Sequence, residues 1–123
     1  MPNSCLPRRC LLLVEDDRMV RETIVLLLED AFDVVLAVSV ATALVELRAV
    51  RSHPIDVVLL DYHLPDGPID PVLAEADLRL IPVVLTSGDL MLDADLRPVR
   101  TFLRKPFSEK TLLSVLEGTR RQG

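Results

Sequence analysis

Residues 11–17 read LLLVEDD: an apolar run that passes directly into the carboxylates of Glu15, Asp16 and Asp17. Such a run, closed by a polar break, has the pattern of a strand buried on both faces. Like charges crowded at its end disfavour one another's ionisation unless a cation stands against them. The pattern recurs at 55–60, IDVVLL, which runs into Asp61. Two buried strands ending in acid raise one question, namely what positive group the acids face.

Outward from this stretch, short apolar runs alternate with longer amphipathic ones. Strands are expected over 10–14, 33–37, 55–60, 82–86 and 101–105, and helices over 17–30, 39–50, 71–80 and 108–121. Asp17 is the expected cap of the first helix, whose Val20, Ile24, Leu27 and Leu28 share a face. Ser39 and Ser108 are the expected caps of the second and last helices. Residues 93–99 offer at most a poor helical turn, because Pro98 interrupts them. Pro65, Gly67 and Pro68 mark a loop within the domain.

Composition agrees with a single α/β domain of 123 residues, its core at about 10–120. Half the residues are hydrophobic and only 3% are aromatic, so the core must be aliphatic. A net charge of -5 repels phosphate backbones and argues against nucleic-acid binding. Cys5 and Cys10 make no disulfide framework and belong to no zinc-type cluster. Arg8 and Arg9 before an apolar run superficially resemble a leader, but that run stops at Val14 against acids. It is too short for a signal core or a membrane span. The expectation is a soluble cytoplasmic protein with no membrane contact.

Strands alternating with helices imply a parallel sheet covered on both faces. The expected fold is a flavodoxin-like (βα)5 doubly wound sheet, strand order 2-1-3-4-5, with shortened third and fourth helices. In that order ligands bind beyond the carboxyl ends of the strands, at the switch point between the first and third. Those are the two strands that end in Glu15, Asp16 and Asp61. A converging carboxylate cluster with an open rim favours Mg²⁺, which takes one or two carboxylates, waters and a phosphate. Thr86 and Lys105 end the fourth and fifth strands on the same rim. Acids, a hydroxyl and one ammonium together fit phosphoryl chemistry, with a carboxylate as nucleophile.

The ordered set LLLVEDD, DVVLLDYHLPDG, VVLTSG and FLRKPF resembles the receiver domain of two-component response regulators, over roughly residues 10–120. The resemblance implies that Asp61 accepts a phosphoryl group from a histidine kinase or phosphotransfer protein. It implies Mg²⁺ held by Asp16 directly, by Glu15 through water, by Asp61 and by the backbone carbonyl of His63. Lys105 would contact the phosphoryl group, Thr86 would move to hydrogen-bond it, and Phe102 would be the switch aromatic. Lys105–Pro106 matches a position where such domains often have a cis bond. Output would pass by contact with a downstream protein.

The chain departs from the receiver pattern between Asp61 and Lys105, which is short. Ile69 stands where a second glycine is usual, and LRPVR replaces the usual turn before the fifth strand. These changes put homodimerisation through the usual face in doubt and suggest a phosphorylation-dependent loop over 88–99. Two other readings stay open. One is a degenerate receiver acting as a phosphorylation-independent binding module. The other is a Mg²⁺-dependent aspartyl-phosphate phosphatase, in which His63 would stand where the second acid is needed.

Overall fold

The apolar runs become five parallel strands in one sheet, in the order β2-β1-β3-β4-β5. The computed structural model describes residues 8–88 and 101–119. In chain order these hold β1 (Arg9–Val14), α1 (Arg18–Leu28), β2 (Phe32–Ala37), α2 (Val40–Arg48) and β3 (Val57–Asp61). Then follow α3 (Asp70–Leu78), β4 (Val83–Ser87), β5 (Thr101–Arg104) and a closing helix, α4 (Glu109–Glu117). The expected doubly wound architecture and strand order are those observed. The turn expected at 93–99, all but Gly88 of the loop over 88–99, Cys5 and the last four residues lie outside the described residues.

Period-two alternation along the strands divides the core into two layers. Leu11, Leu13, Val57, Leu59, Val84 and Leu103 pack with Ile24 and Leu28 of α1 and Leu112 and Leu116 of α4. Cys10, Leu12, Val14, Val58, Leu60 and Leu85 pack on the other face with Val40, Ala43 and Leu47 of α2 and Val72 and Ala76 of α3. The central strands β1, β3 and β4 are therefore apolar at nearly every position, as a sheet covered on both faces requires. Each buried leucine contributes on the order of 1.5–3 kcal/mol by leaving water. The Cys10 thiol lies in this core, and burial raises its pKa, which leaves it a poor nucleophile.

The helix starts follow their caps. Asp17 accepts from Val20 N at 3.0 Å, and Ser108 accepts from Thr111 N at 3.1 Å. Ser39 accepts from Thr42 N while the Thr42 hydroxyl accepts from Ser39 N, a reciprocal capping box. Most element boundaries differ from the sequence reading by one to four residues, and three of these differences bear on the argument. The third strand starts at Val57, because the Asp56 side chain accepts from Cys10 N at 2.7 Å and the chain joins β1 there first. The fourth strand runs on to Ser87, which is buried and not part of a polar loop. Lys105 falls just past β5. α3 has 9 residues, as do α2 and α4.

Arg8 and Arg9 have a structural task. Arg9 donates to Leu116 O and to Thr119 Oγ1, both at 3.1 Å, and ties the start of β1 to the end of α4. Arg8 donates to the carbonyls of Glu29 and Phe32 at the turn into β2.

Candidate functional site

The alternation that sorts the core also aims the polar residues. Residues 11, 13 and 15 share parity, as do 57, 59 and 61, 84 and 86, and 103 and 105. Glu15, Asp61, Thr86 and Lys105 thus continue the rows that face α1 and α4, at the carboxyl end of the sheet. Each exit is fixed by a further ladder bond. Glu15 N donates to Ala37 O at 3.1 Å, Tyr62 N to Thr86 O at 2.9 Å, and Lys105 N to Ser87 O at 2.9 Å.

The result is a compact charged cluster at the switch point between β1 and β3. Lys105 Nζ donates to Glu15 Oε1 at 3.0 Å and to Asp61 Oδ2 at 3.4 Å. Oxygens of Glu15, Asp16 and Asp61, one from each, lie within 4.8 Å of one another. Glu15 and Asp61 are buried, whereas Asp16 is exposed at the rim. His63 N donates to Asp61 Oδ1 at 3.1 Å, and Asp17 N donates to Glu15 Oε2 at 3.2 Å. Lys105 is one positive group against these acids, and it is a single charge facing three.

The electrostatics show the imbalance. Burial pushes the Glu15 pKa above its ordinary value, and the charge of Asp61 adds to this. The Lys105 hydrogen bond opposes the rise but does not cancel it. For Lys105, burial lowers the pKa, but the bond to Glu15 and the charges of Asp61 and Glu15 outweigh it, and the net shift is upward. A buried carboxylate that resists ionisation beside two more oxygen donors, with one donor open to water, suits a small hard dication. The residues present therefore fit Mg²⁺.

Thr86 is buried at the end of β4, opposite Asp61 in the register. Phe102 is half-buried in β5 and packs against the opposite core layer. The His63 ring meets Tyr62 edge-on, with centroids 5.0 Å apart. The Lys105–Pro106 peptide is cis. Asp17 caps α1, as its position after the acid pair suggested.

Two residues that sequence reasoning passed over also shape the site. Arg21 Nη1 donates to Glu15 O at 3.0 Å and to Asp16 O at 3.3 Å, and so clamps the acidic loop from the second turn of α1. Asp66 joins the loop after β3 to the start of α2. Arg21 has a faint sequence signal, a basic residue one helical turn past a capped acidic loop.

The fold recurs among solved structures. A CheY-like receiver domain protein from Methanospirillum hungatei is 20% identical, with a TM-score of 0.77 over 91% of this chain and 93% of that one. The fold is that of a response-regulator receiver domain. The receiver domain of a sensor histidine kinase from Pseudomonas aeruginosa, with a magnesium ion coordinated in its active-site cleft, is 23% identical. It superposes with a TM-score of 0.78 over 91% of this chain and 97% of that one. The chemotaxis response regulator CheY4 of Vibrio cholerae is 21% identical, with a TM-score of 0.77 over 93% of this chain and all of that one. No protein-family model and no curated protein sequence matches the chain. Among the described residues, no helix of this receiver fold is long and apolar enough to cross a membrane.

Proposed function

We propose that the chain is a phosphoaccepting receiver that takes a phosphoryl group onto Asp61 and signals by protein contact. The observation that carries this reading is the convergence of Glu15, Asp16, Asp61 and Lys105 from three separate strand ends at the switch point. A core-building sequence has no use for three acids there. A phosphoryl acceptor has a use for each.

An Asp61 carboxylate oxygen attacks the phosphorus of a phosphohistidine on a histidine kinase or phosphotransfer protein. The new O–P bond forms as the N–P bond breaks, and the imidazole nitrogen leaves with the electron pair. Glu15, Asp16, Asp61 and the His63 carbonyl would hold Mg²⁺, which supplies charge neutralisation for the phosphoryl oxygens. Lys105 adds a second positive charge, already bonded to Glu15 and Asp61. Thr86 offers its hydroxyl to the phosphorylated state, and Phe102 follows it. The carboxylate is held in place before the reaction by His63 N and Lys105 Nζ.

An apolar groove of about 490 Å³ opens beside Lys105 and supports a protein donor. Met19, Val20, Ile24 and Leu27 of α1 and Pro106 and Phe107 line it. The setting is cytoplasmic, where such donors work.

Intact mass after incubation with Mg²⁺ and acetyl phosphate tests the reading. One added phosphoryl group is expected, absent in Asp61→Asn and absent without Mg²⁺. A folded wild-type protein that takes up none would instead favour a phosphorylation-independent binding module.

A further inference from the structure

The Asp61 corner is held by a carboxylate that the chemistry above does not use. Asp66 lies between β3 and α3, and its side chain reaches across to the first turn of α2. Oδ1 accepts from Val40 N at 2.9 Å and Oδ2 from Ala41 N at 3.0 Å. These are two of the amides that a helix start leaves without an internal partner. Yet α2 already has its own cap, because Ser39 and Thr42 bond reciprocally. The clasp therefore does more than start a helix. A carboxylate gripping two successive amides fixes direction as well as distance.

What it fixes is the loop behind the proposed phosphoacceptor. Between Asp61 and Asp66 the chain passes through Tyr62, His63, Leu64 and Pro65. Leu64 bridges back to Gly67, whose φ of 123° suits glycine. His63 N in turn donates to Asp61 Oδ1. The contacts of Asp66 with α2 and of His63 with the Asp61 carboxylate are thus joined through the short backbone segment 63–66. The other acidic loop refers to the same corner, since Glu15 N bonds to Ala37 O at the end of β2.

We infer that Asp66 is a positioning residue for Asp61. Its clasp on α2 sets the 62–65 loop, and with it the His63 backbone, against the phosphoacceptor. The inference rests on the function proposed above, and it acts through the backbone alone.

Asp66→Ala, Asp66→Asn and Ser39→Ala test it together. The first breaks the clasp, the second keeps one acceptor oxygen, and the third weakens α2 from its own side. Two readouts apply well below the unfolding temperature. One is amide exchange at His63 in the metal-free protein. The other is the Mg²⁺ dissociation constant, followed by fluorescence of Tyr62, the one tyrosine in a chain without tryptophan. Asp66→Ala is expected to speed His63 exchange and to raise the Mg²⁺ dissociation constant about tenfold. Asp66→Asn should fall between, and Ser39→Ala should move neither. Wild-type exchange and affinity in Asp66→Ala would overturn the inference. So would an equal effect from Ser39→Ala, which would make Asp66 a helix cap only. If wild-type protein binds no Mg²⁺, the functional reading fails, and His63 exchange alone decides the clasp.

Discussion

Lys105 sets its ammonium 3.0 Å from Glu15, a partner 90 positions away in the chain. The contact joins the ends of β1 and β5, which are separated in the sheet by β3 and β4. It is the longest-range side-chain ion pair in the site, and it leaves the acids only partly neutralised. Its consequences are measurable before any partner is known.

Glu15 has a folded-state pKa raised above 4.5, by burial first and then by Asp61. A carboxyl that holds its proton more tightly when folded favours the fold below its unfolded pKa. That contribution is lost as pH rises through the folded value. In metal-free protein, Glu15→Gln should therefore gain stability relative to wild type as pH rises from about 4.5. Urea unfolding of both proteins in chelator across this window measures the difference. A constant difference would show that Glu15 ionises in the fold at no cost.

Lys105→Met keeps the aliphatic stem and removes the charge. The raised Lys105 pKa places its contribution below the folded value, so it is present throughout the neutral range and lost only at high pH. Without it, the buried Glu15 and Asp61 carboxylates lose a charged donor, at a cost of about 1–3 kcal/mol. The loss should be largest in chelator and should shrink in excess Mg²⁺, which can replace the missing charge. Unfolding midpoints in the two buffers check this, and an equal loss in both would mean that no dication shares the site with Lys105.

The convergence of Glu15, Asp16, Asp61 and Lys105 was legible in the sequence because each lies at or just past the end of an apolar run that reads as a buried strand. Once 11–14 and 57–60 are buried strands, Glu15 and Asp61 have fixed sides and a fixed end. Arg21 and Asp66 were harder, since they act on carbonyls and amides that no side-chain pattern displays. Ile69 was read as a departure from a glycine turn. The structure gives it φ -82°, ψ 0° and a buried side chain against Val40, Val72 and Ala76. It is core, and its spacing to Val72 and Ala76 was the signal. The Ser87 boundary failed for a related reason: a serine at a buried strand end looks like a loop.

Leu80 carries the one left-handed backbone among the described non-glycine residues, with φ 59°. It ends α3 in a Schellman motif, with Leu80 N bonded to Asp77 O at 3.0 Å and Ile81 N to Ala76 O at 2.9 Å. A leucine there bears steric strain of about 1–2 kcal/mol that glycine avoids. Its side chain is 74% exposed, so little packing is lost on truncation. The greater freedom of glycine in the unfolded chain offsets part of the gain, roughly 0.5–1 kcal/mol. Leu80→Gly should therefore stabilise the domain by about 0.5–1 kcal/mol. Leu80→Ala, which keeps the strain and removes the same exposed surface, should not. Thermal unfolding of the two variants beside wild type separates backbone relief from the loss of a leucine. Destabilisation by both would place the Leu80 side chain in a contact that outweighs its strain.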